Sequence, residues 1–480
     1  MTTVSAVGST AWTASTALAR TPVAETTATP PSTVLQLARA EPVSTVYARP
    51  NPLMGPTRSW ASAPGDAISG LMQRNVASGN ASLAAQWRGL GGALLARLAG
   101  QDGDYQQTLV RHASVVAASN ALASARDNAV TVQLRIRTQS GATVELSIAV
   151  NRGANQVQAG LQVGLHSSGP LSDAERKALG ALAEGFDQTL AGLGRADAPQ
   201  LDLAGLLAYD DKQLTSLELT VRSPEANDAL RSFSLQANAR ERRVDLQGAA
   251  GELSLRLDAA APLAAARDTQ RQAAIDQYLR QFDAAAERGH IGAELVDQLR
   301  QAFVQLHGAN GGQAQALDGT PQATQNQVAP LLSGLADFEL RISGEFSKTN
   351  ENGYLIEVSQ ARYEVAQQTR VQRRGSASGA AGDITVTQTR SAVLQAQILR
   401  ALGDAEIDLK GGNYHRTDIA DQNRGTTTVD TQNGRLVRAV AEQADQQLLT
   451  YAKLLDHHAV ETRSTPRTRH TRDDLLPTVR

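Results

Sequence analysis

Cysteine is absent from all 480 residues, which excludes disulfides, thiolate metal sites, iron–sulfur clusters and cysteine nucleophiles. Aromatic side chains make up only 4% of the chain, so any core must be built from Leu, Val and Ala. No excess of one charge exists either. The 46 Lys and Arg against 48 Asp and Glu leave a net charge of -2, which argues against nucleic acid or a membrane surface as a general partner. No apolar run reaches the length of a membrane span. Lysine is scarce, at Lys177, Lys212, Lys348, Lys410 and Lys453, and Arg supplies the remaining positive charge. With so much Ala and Gly, that is the composition of a GC-rich bacterial genome. The N-terminus lacks a basic stretch followed by a continuous apolar core, so no cleavable signal peptide is expected. The expected location is cytoplasmic, with secretion by a leaderless route as the alternative, since a Cys-free chain suits both.

What is present is alternation. At 41% hydrophobic, the chain can bury a core and is long enough for two or three domains. Val130, Val132, Leu134 and Ile136 alternate with Thr131, Gln133, Arg135 and Arg137, and Val144, Leu146, Ile148 and Val150 repeat the pattern. That period of two belongs to strands with one buried and one wet face. A three-residue loop, Gln139 to Gly141, pairs Ile136 with Val144, Leu134 with Leu146 and Arg135 with Glu145. It also places Gly141 where a left-handed residue is needed. A third alternating run follows at 157–165. "LSDAERKALGALAEGFDQTLAGL" then reads as one helix, capped by Ser172 and Glu175, with Leu179, Leu182, Phe186, Leu190 and Leu193 as its apolar stripe. More strands are expected at 217–221, 233–239 and 253–257.

The hairpin around "TQSGATVELSI", the L-S-x-x-E helix, "LDLAGLLAY" and "LTSLELTV" together resemble an uncharacterised family of cysteine-free bacterial proteins. The resemblance covers about residues 129–222, implies this strand and helix order, and carries no functional residue.

The fold class expected is α+β, with antiparallel sheets and packed helices. Residues 1–65, rich in Ser, Thr, Ala and Pro, are expected to be disordered, as a tail or as a targeting segment of a type III or flagellar-type export substrate. A domain over 66–307 should hold the helices, the sheet and a helical hairpin. Its helical stretches are expected at Leu83–Leu98 and around 109–122. The hairpin carries Ile275, Tyr278 and Phe282, then Leu295, Leu299 and Phe303, joined at "RGHIG". The mixed, nearly neutral face of the second helix argues against a helix-turn-helix reader of DNA. The glycine-rich stretch 308–330 is the expected linker. A second, β-rich domain is expected over 331–460, with strands at 338–346 and 354–371. A turn at Gln432 to Gly434 should align Val429 with Val437, and a helix is expected after Ala444. Residues 461–480 are expected to be a disordered basic tail.

Catalytic signatures are absent. The eight histidines show no metal spacing, and His457-His458 reads as solvated surface. The Gly89 to Gly92 cluster lacks a preceding strand and the dinucleotide-loop spacing. No Lys stands in a phosphate loop, and "GSASG" at Gly375 has Ala where a nucleophile elbow needs Ser. Asp404, Glu406, Asp408, His415 and Asp418 fall close together, as a calcium or acid–base site would require, but their spacing fits no established loop. A charged connection between strands is the simpler reading. No catalytic, cofactor-binding or metal residue is therefore assigned, and no cofactor or small-molecule ligand is expected. The expected function is that of a non-catalytic structural or protein-interaction protein. The alternatives are a leaderless exported protein and an enzyme of a type these motifs do not reveal.

Overall fold

The computed structural model describes residues 57–77, 82–100, 103–112, 129–151, 158–224, 229–260, 267–309, 320–374 and 383–476. Strand dominates them. The first nine strands are β1 (Thr57–Trp60), β2 (Tyr105–His112), β3 (Val130–Thr138), β4 (Thr143–Asn151), β5 (Gln158–Ser167), β6 (Leu214–Arg222), β7 (Leu230–Asn238), β8 (Glu241–Gly248) and β9 (Gly251–Asp258). Six longer ones follow: β10 (Asp337–Thr349), β11 (Leu355–Arg374), β12 (Asp383–Arg400), β13 (Tyr414–Gln432), β14 (Arg435–Leu455) and β15 (His458–Asp474). All fifteen form one sheet in the order β1-β2-β5-β4-β3-β6-β7-β8-β9-β10-β11-β12-β13-β14-β15, and each pairing is antiparallel. The architecture is thus a sheet with helices laid on it rather than a balanced α+β fold.

The opening hairpin has the register its apolar residues demand: Ile136 faces Val144, Leu134 faces Leu146 and Arg135 faces Glu145. Gly141 closes the loop at φ +91°, a conformation a β-branched residue resists. Alternation continues across strands. On the wet face, His166, Glu145, Arg135 and Glu218 stand in one cross-strand row, continued by Gln236, Arg243, Arg256 and Glu339. The apolar residues of the same strands point to the other face, where the helices lie.

Those helices are α1 (Ala67–Ala77), α2 (Leu83–Trp87), α3 (Leu90–Gly100), α4 (Asp173–Ala181), α5 (Ala183–Leu193), α6 (Ala204–Leu207), α7 (Asp268–Gly289), α8 (Ala293–Ala309) and α9 (Gln322–Val328). The expected long helix from Ser172 is broken at Leu182 into α4 and α5. Its capping box is present: Glu175 N–H donates to Ser172 Oγ (3.3 Å) and Ser172 N–H to Glu175 Oε2 (2.9 Å). Glu175 Oε1 also accepts from Ser140 N–H (3.0 Å), tying the helix start to the hairpin tip. Burial pushes the Glu175 carboxyl up, but hydrogen bonds from Ser172 and Ser140 outweigh it and hold the pKa at about 2. The glycine cluster in α3 serves packing. A Cβ on Gly91 would strike the Phe186 ring, and Gly92 N–H donates to Asp187 Oδ1 (2.9 Å), so α3 and α5 cross at backbone distance.

The linker expected at 308–330 does not divide the fold. The described residues cluster as one compact unit, β9 pairs with β10 from Asp258–Asp337 to Glu252–Ser343, and one apolar core runs from Ile68 to Ile419. Within the expected linker, α9 is pinned by Thr324 Oγ1 donating to Gly434 carbonyl (2.9 Å), and Val328 and Ala329 enter a second cluster with Ile384, Val386 and Val429. Five further corrections apply. Residues 461–474 are strand, not a disordered tail, and the segment after Ala444 is strand, not helix. Leu109 lies in β2, and the rest of the helix expected around 109–122 falls, beyond His112, outside the described residues. The turn at Asn433-Gly434 has both residues at positive φ (53° and 74°), so it is the two-residue type with a bulge at Asp430/Thr431, and Val429 faces Ala439 rather than Val437. Of the segment 1–65, residues 1–56 lie outside the described residues, and Thr57–Trp60 is strand.

Two outcomes follow from this packing. Leu146, 2% exposed, should cost about 2–5 kcal/mol when truncated to Ala. Arg135→Gln, which breaks an ion pair whose side chains are 61% and 49% exposed, should cost less than about 1 kcal/mol by urea unfolding. Equal costs would mean that the wet face is covered. A protease site inserted between 310 and 319 should, once cleaved, leave two fragments that co-elute in gel filtration, because β9–β10 and the shared core hold them. Fragments that separate while folded would restore the two-domain view.

Candidate functional site

The chemistry-bearing side chains gather where the C-terminus of α7 meets β11–β14. Strand register puts Glu357, Arg400, His415 and Lys453 in one cross-strand row, and Ser359, Ile398, Thr417 and Tyr451 in the next. α7 ends above them at His290, which takes a left-handed conformation (φ 52°). Ser359 hydroxyl donates to the His290 carbonyl (2.9 Å) and fixes that cap.

Glu357 is buried between the His290 imidazole and the Arg400 guanidinium. His290 Nδ1 lies 2.6 Å from its Oε1, and Arg400 Nε and Nη2 donate to its Oε2 at 2.9 and 2.6 Å. Burial pushes the Glu357 carboxyl up, yet the bonds and charges of His290 and Arg400 hold it below the ordinary carboxylate value. Beside this triad, Tyr451 hydroxyl and His415 Nδ1 stand 2.8 Å apart with their rings stacked. A cavity of about 590 Å³ opens here, with Ile398, Ile419 and Leu449 as an apolar floor. Both Glu357 oxygens are taken, so this carboxylate is a structural partner and not a free base. The arrangement offers a bound group the Arg400 donors and the hydrogen-bonded Tyr451–His415 pair.

Along α7 a larger groove of about 990 Å³ runs over β11–β15. Arg288 donates two hydrogen bonds to Asp421 at its end, the Nη2–Oδ1 bond at 3.0 Å.

The sequence candidates scatter. His415 faces the cavity, whereas Asp418, three residues along β13, points to the opposite face and binds Arg416 (2.8 Å) and Gln397 (3.0 Å). Asp408 accepts from Gly411 N–H and Asn413 Nδ2, both at 2.7 Å, and shapes the β12–β13 connection. Asp404 and Glu406 are exposed on that connection. No group of His, Asp and Glu among the described residues is arranged to hold a metal ion. His457 lies in the β14–β15 turn against the Lys410 carbonyl (3.0 Å). "GSASG" falls outside the described residues. Glu357, Arg400 and Tyr451 carry no local signature, and His290 stands in the sequence only within the "RGHIG" turn. Long-range strand register alone brings them together.

With the geometry in place, comparison with models of protein families, with curated proteins and with solved structures finds no match to the chain. Among the described residues no helix is long and apolar enough to cross a membrane.

Two further titratable groups lie apart from the cavity, His307 buried on α8 and Asp337 half-buried at the start of β10. His307 sits between the rings of Phe303 (4.3 Å) and Phe338 (5.4 Å), with Nδ1–H donated to the Phe303 carbonyl (3.0 Å). Burial pushes its pKa down to about 4. Asp337, opposite Asp258 in the register, is pushed up to about 6, mainly by burial and against the hydrogen bond from Thr369 N–H (2.6 Å). Linkage gives the two opposite signs. The His307 contribution is present above pH 6.5, its ordinary value, and is lost as pH falls through about 4. The Asp337 contribution is present below pH 3.8 and is lost as pH rises through about 6. Asp337→Asn should therefore be more stable than the parent above pH 6 and should lose stability more steeply as pH falls from 6.5 to 4. Thermal melts over that range check it. A variant that is weaker at pH 8 with an unchanged slope would refute the assignment.

Proposed function

We propose that the chain is a non-catalytic interaction protein whose last three strands present a polar surface to a protein partner. The observation that carries this reading is the exposure of β13, β14 and β15. These strands are 19, 21 and 17 residues long, several times the usual strand length. Within them only Ile419, Thr427, Val429, Thr431, Ala439 and Val440 are buried. Strands that bury so little apolar area gain little from the core, so their length calls for another use, and surface is what they supply.

The outer edge does not invite pairing. Leu475 N–H donates to the Ala439 carbonyl (2.8 Å), and alternation along the ladder then turns the backbone nitrogen of Pro466, opposite Leu448, toward the free edge. Proline there removes a donor, and Arg463, Arg467, Arg469 and Arg472 add like charge that opposes self-pairing. The faces, not the edge, are left for a partner. The alternative of leaderless export rests on residues 1–56, outside the described residues.

A photo-crosslinking residue at Ala444 or at His470, neighbours on the face away from the helices, should trap the same single partner in the cells that make this protein. The same residue at exposed Gln188 on α5 should trap none. Equal adducts at Gln188, or none at the two strand positions, would overturn the reading.

A further inference from the structure

We infer that β15 is exchanged between two copies of this chain. The β14–β15 turn opens, β14 runs straight on into β15, and the β15 of each copy pairs with the β14 of the other. This goes beyond the reading of the outer strands as a partner surface and does not depend on it.

The turn supplies the cause. Leu455 faces His458, so the loop is Asp456-His457 alone, and both residues are left-handed, at φ 48° and 64°. A two-residue hairpin turn of this kind favours Asn or Asp followed by Gly. Asn433-Gly434 meets that demand between β13 and β14, whereas His457 stands in the glycine position here. The left-handed backbone crowds its Cβ. The closed turn is held by the β12–β13 connection. Asp456 N–H donates to Asn413 Oδ1 (3.0 Å), His457 N–H to the Gly412 carbonyl (3.2 Å) and His457 Nε2–H to the Lys410 carbonyl (3.0 Å). Both side-chain bonds are exposed. A short, strained hinge of this kind is the setting in which an element passes between copies at low cost.

Among the described residues, nothing ties β15 to its own copy except β14. No residue of the strand is buried, and its cross-strand side-chain bonds join Ser464 to Thr450 (3.2 Å) and Arg472 to Glu442 (3.5 Å). The ladder from Val440–Asp474 to Leu455–His458 transfers whole, because the second copy's β14 offers the same residues. Opened, β14 and β15 make one strand of about 40 residues, ~130 Å long. Two such arms lie antiparallel about a two-fold axis through the opened turns. The β13 of each copy stays on the outer side of its own β14, so the two sheets occupy opposite ends and do not collide. The exchange also closes. Pro466 and the arginines that oppose pairing remain on the outer edge of β15, so assembly stops at two copies.

The chain has no cysteine, so a designed pair reports the exchange without background. By the alternation fixed at Leu475–Ala439, Gln446 and Thr468 are a non-hydrogen-bonded pair, about 4.5 Å between Cα atoms and within reach of a disulfide. The full chain carrying Gln446→Cys and Thr468→Cys is refolded from urea at low and at high protein concentration, oxidised and run on a non-reducing gel. A covalent dimer that grows with the concentration during refolding is expected, and none from either single-cysteine variant. His457→Gly, which relieves the crowding, should lower the ratio of dimer to monomer at least about tenfold, and the β-branched His457→Val should raise it. Sedimentation velocity of the cysteine-free chain, refolded in the same way, should show the same dimer and the same response to His457→Gly, which removes any effect of the cysteines on folding. Disulfides confined to single chains at every concentration, a dimer from one cysteine alone, or equal yields from the Gly and Val variants would overturn the proposal. None of these results bears on the crosslinks from Ala444 and His470, so the two readings fail separately.

Discussion

The continuous antiparallel ladder is the constraint on which the rest depends. Once β9 and β10 pair across the long excursion through α7, α8 and α9, both halves of the chain must share one sheet, one twist and one buried face. Every side chain on a strand is then committed to one of two sides. As far as β12 apolar residues dominate the side under the helices, joined there by the Glu357–Arg400 row and Ser359, and most Arg, Glu, Gln, Ser and Thr fall on the other face. The helices need only present one apolar stripe each, which is why Phe282, Phe303 and Phe338 from three different elements meet edge to face at 5.1 Å.

Beyond β12 helix cover shrinks to the end of α7 and the short α9, and the ladder runs on. The apolar alternation thins: Ile419 is the last core residue of the main cluster, and Val429 belongs to the small cluster under α9. Backbone pairing and cross-strand polar contacts must then hold the outer strands, as Asp430 does in accepting from Thr385 (2.6 Å). The same thinning that ends the core begins the groove. A residue too polar to be covered by a helix becomes a residue able to meet another molecule.

What the sequence discloses, and what it hides, follow the same line. The hairpin at 129–150 is readable to the register because its alternation is strict and Gly141 marks the loop. The capping box at Ser172 is readable because its bonds are local. β15 is not, since "ETRSTPRTRHTRDD" carries charge on both faces and becomes a strand only by lying against β14. Ala444 to Leu455 misleads for the opposite reason. Its Leu448, Leu449, Tyr451, Ala452 and Leu455 also satisfy a helical period, and the strand they form leaves Leu448 and Leu455 exposed, at 41% and 38%. A helix would have hidden them; the pairing with β13 overrides that preference.

Strand alternation also explains why the acidic stretch at 404–418 promises chemistry that does not assemble. On a helix, residues three apart such as His415 and Asp418 share a face; on a strand they are opposed. In β13 they are opposed, and Asp418 answers to Arg416 and Gln397 while His415 answers to Tyr451. The partners His415 does meet come from rows that no sequence spacing encodes: Arg400 is 15 positions before it and Lys453 lies 38 after, both set opposite it by pairing. In a sheet of this length, a cluster of polar side chains is a property of register, and a site is found by counting across strands rather than along them.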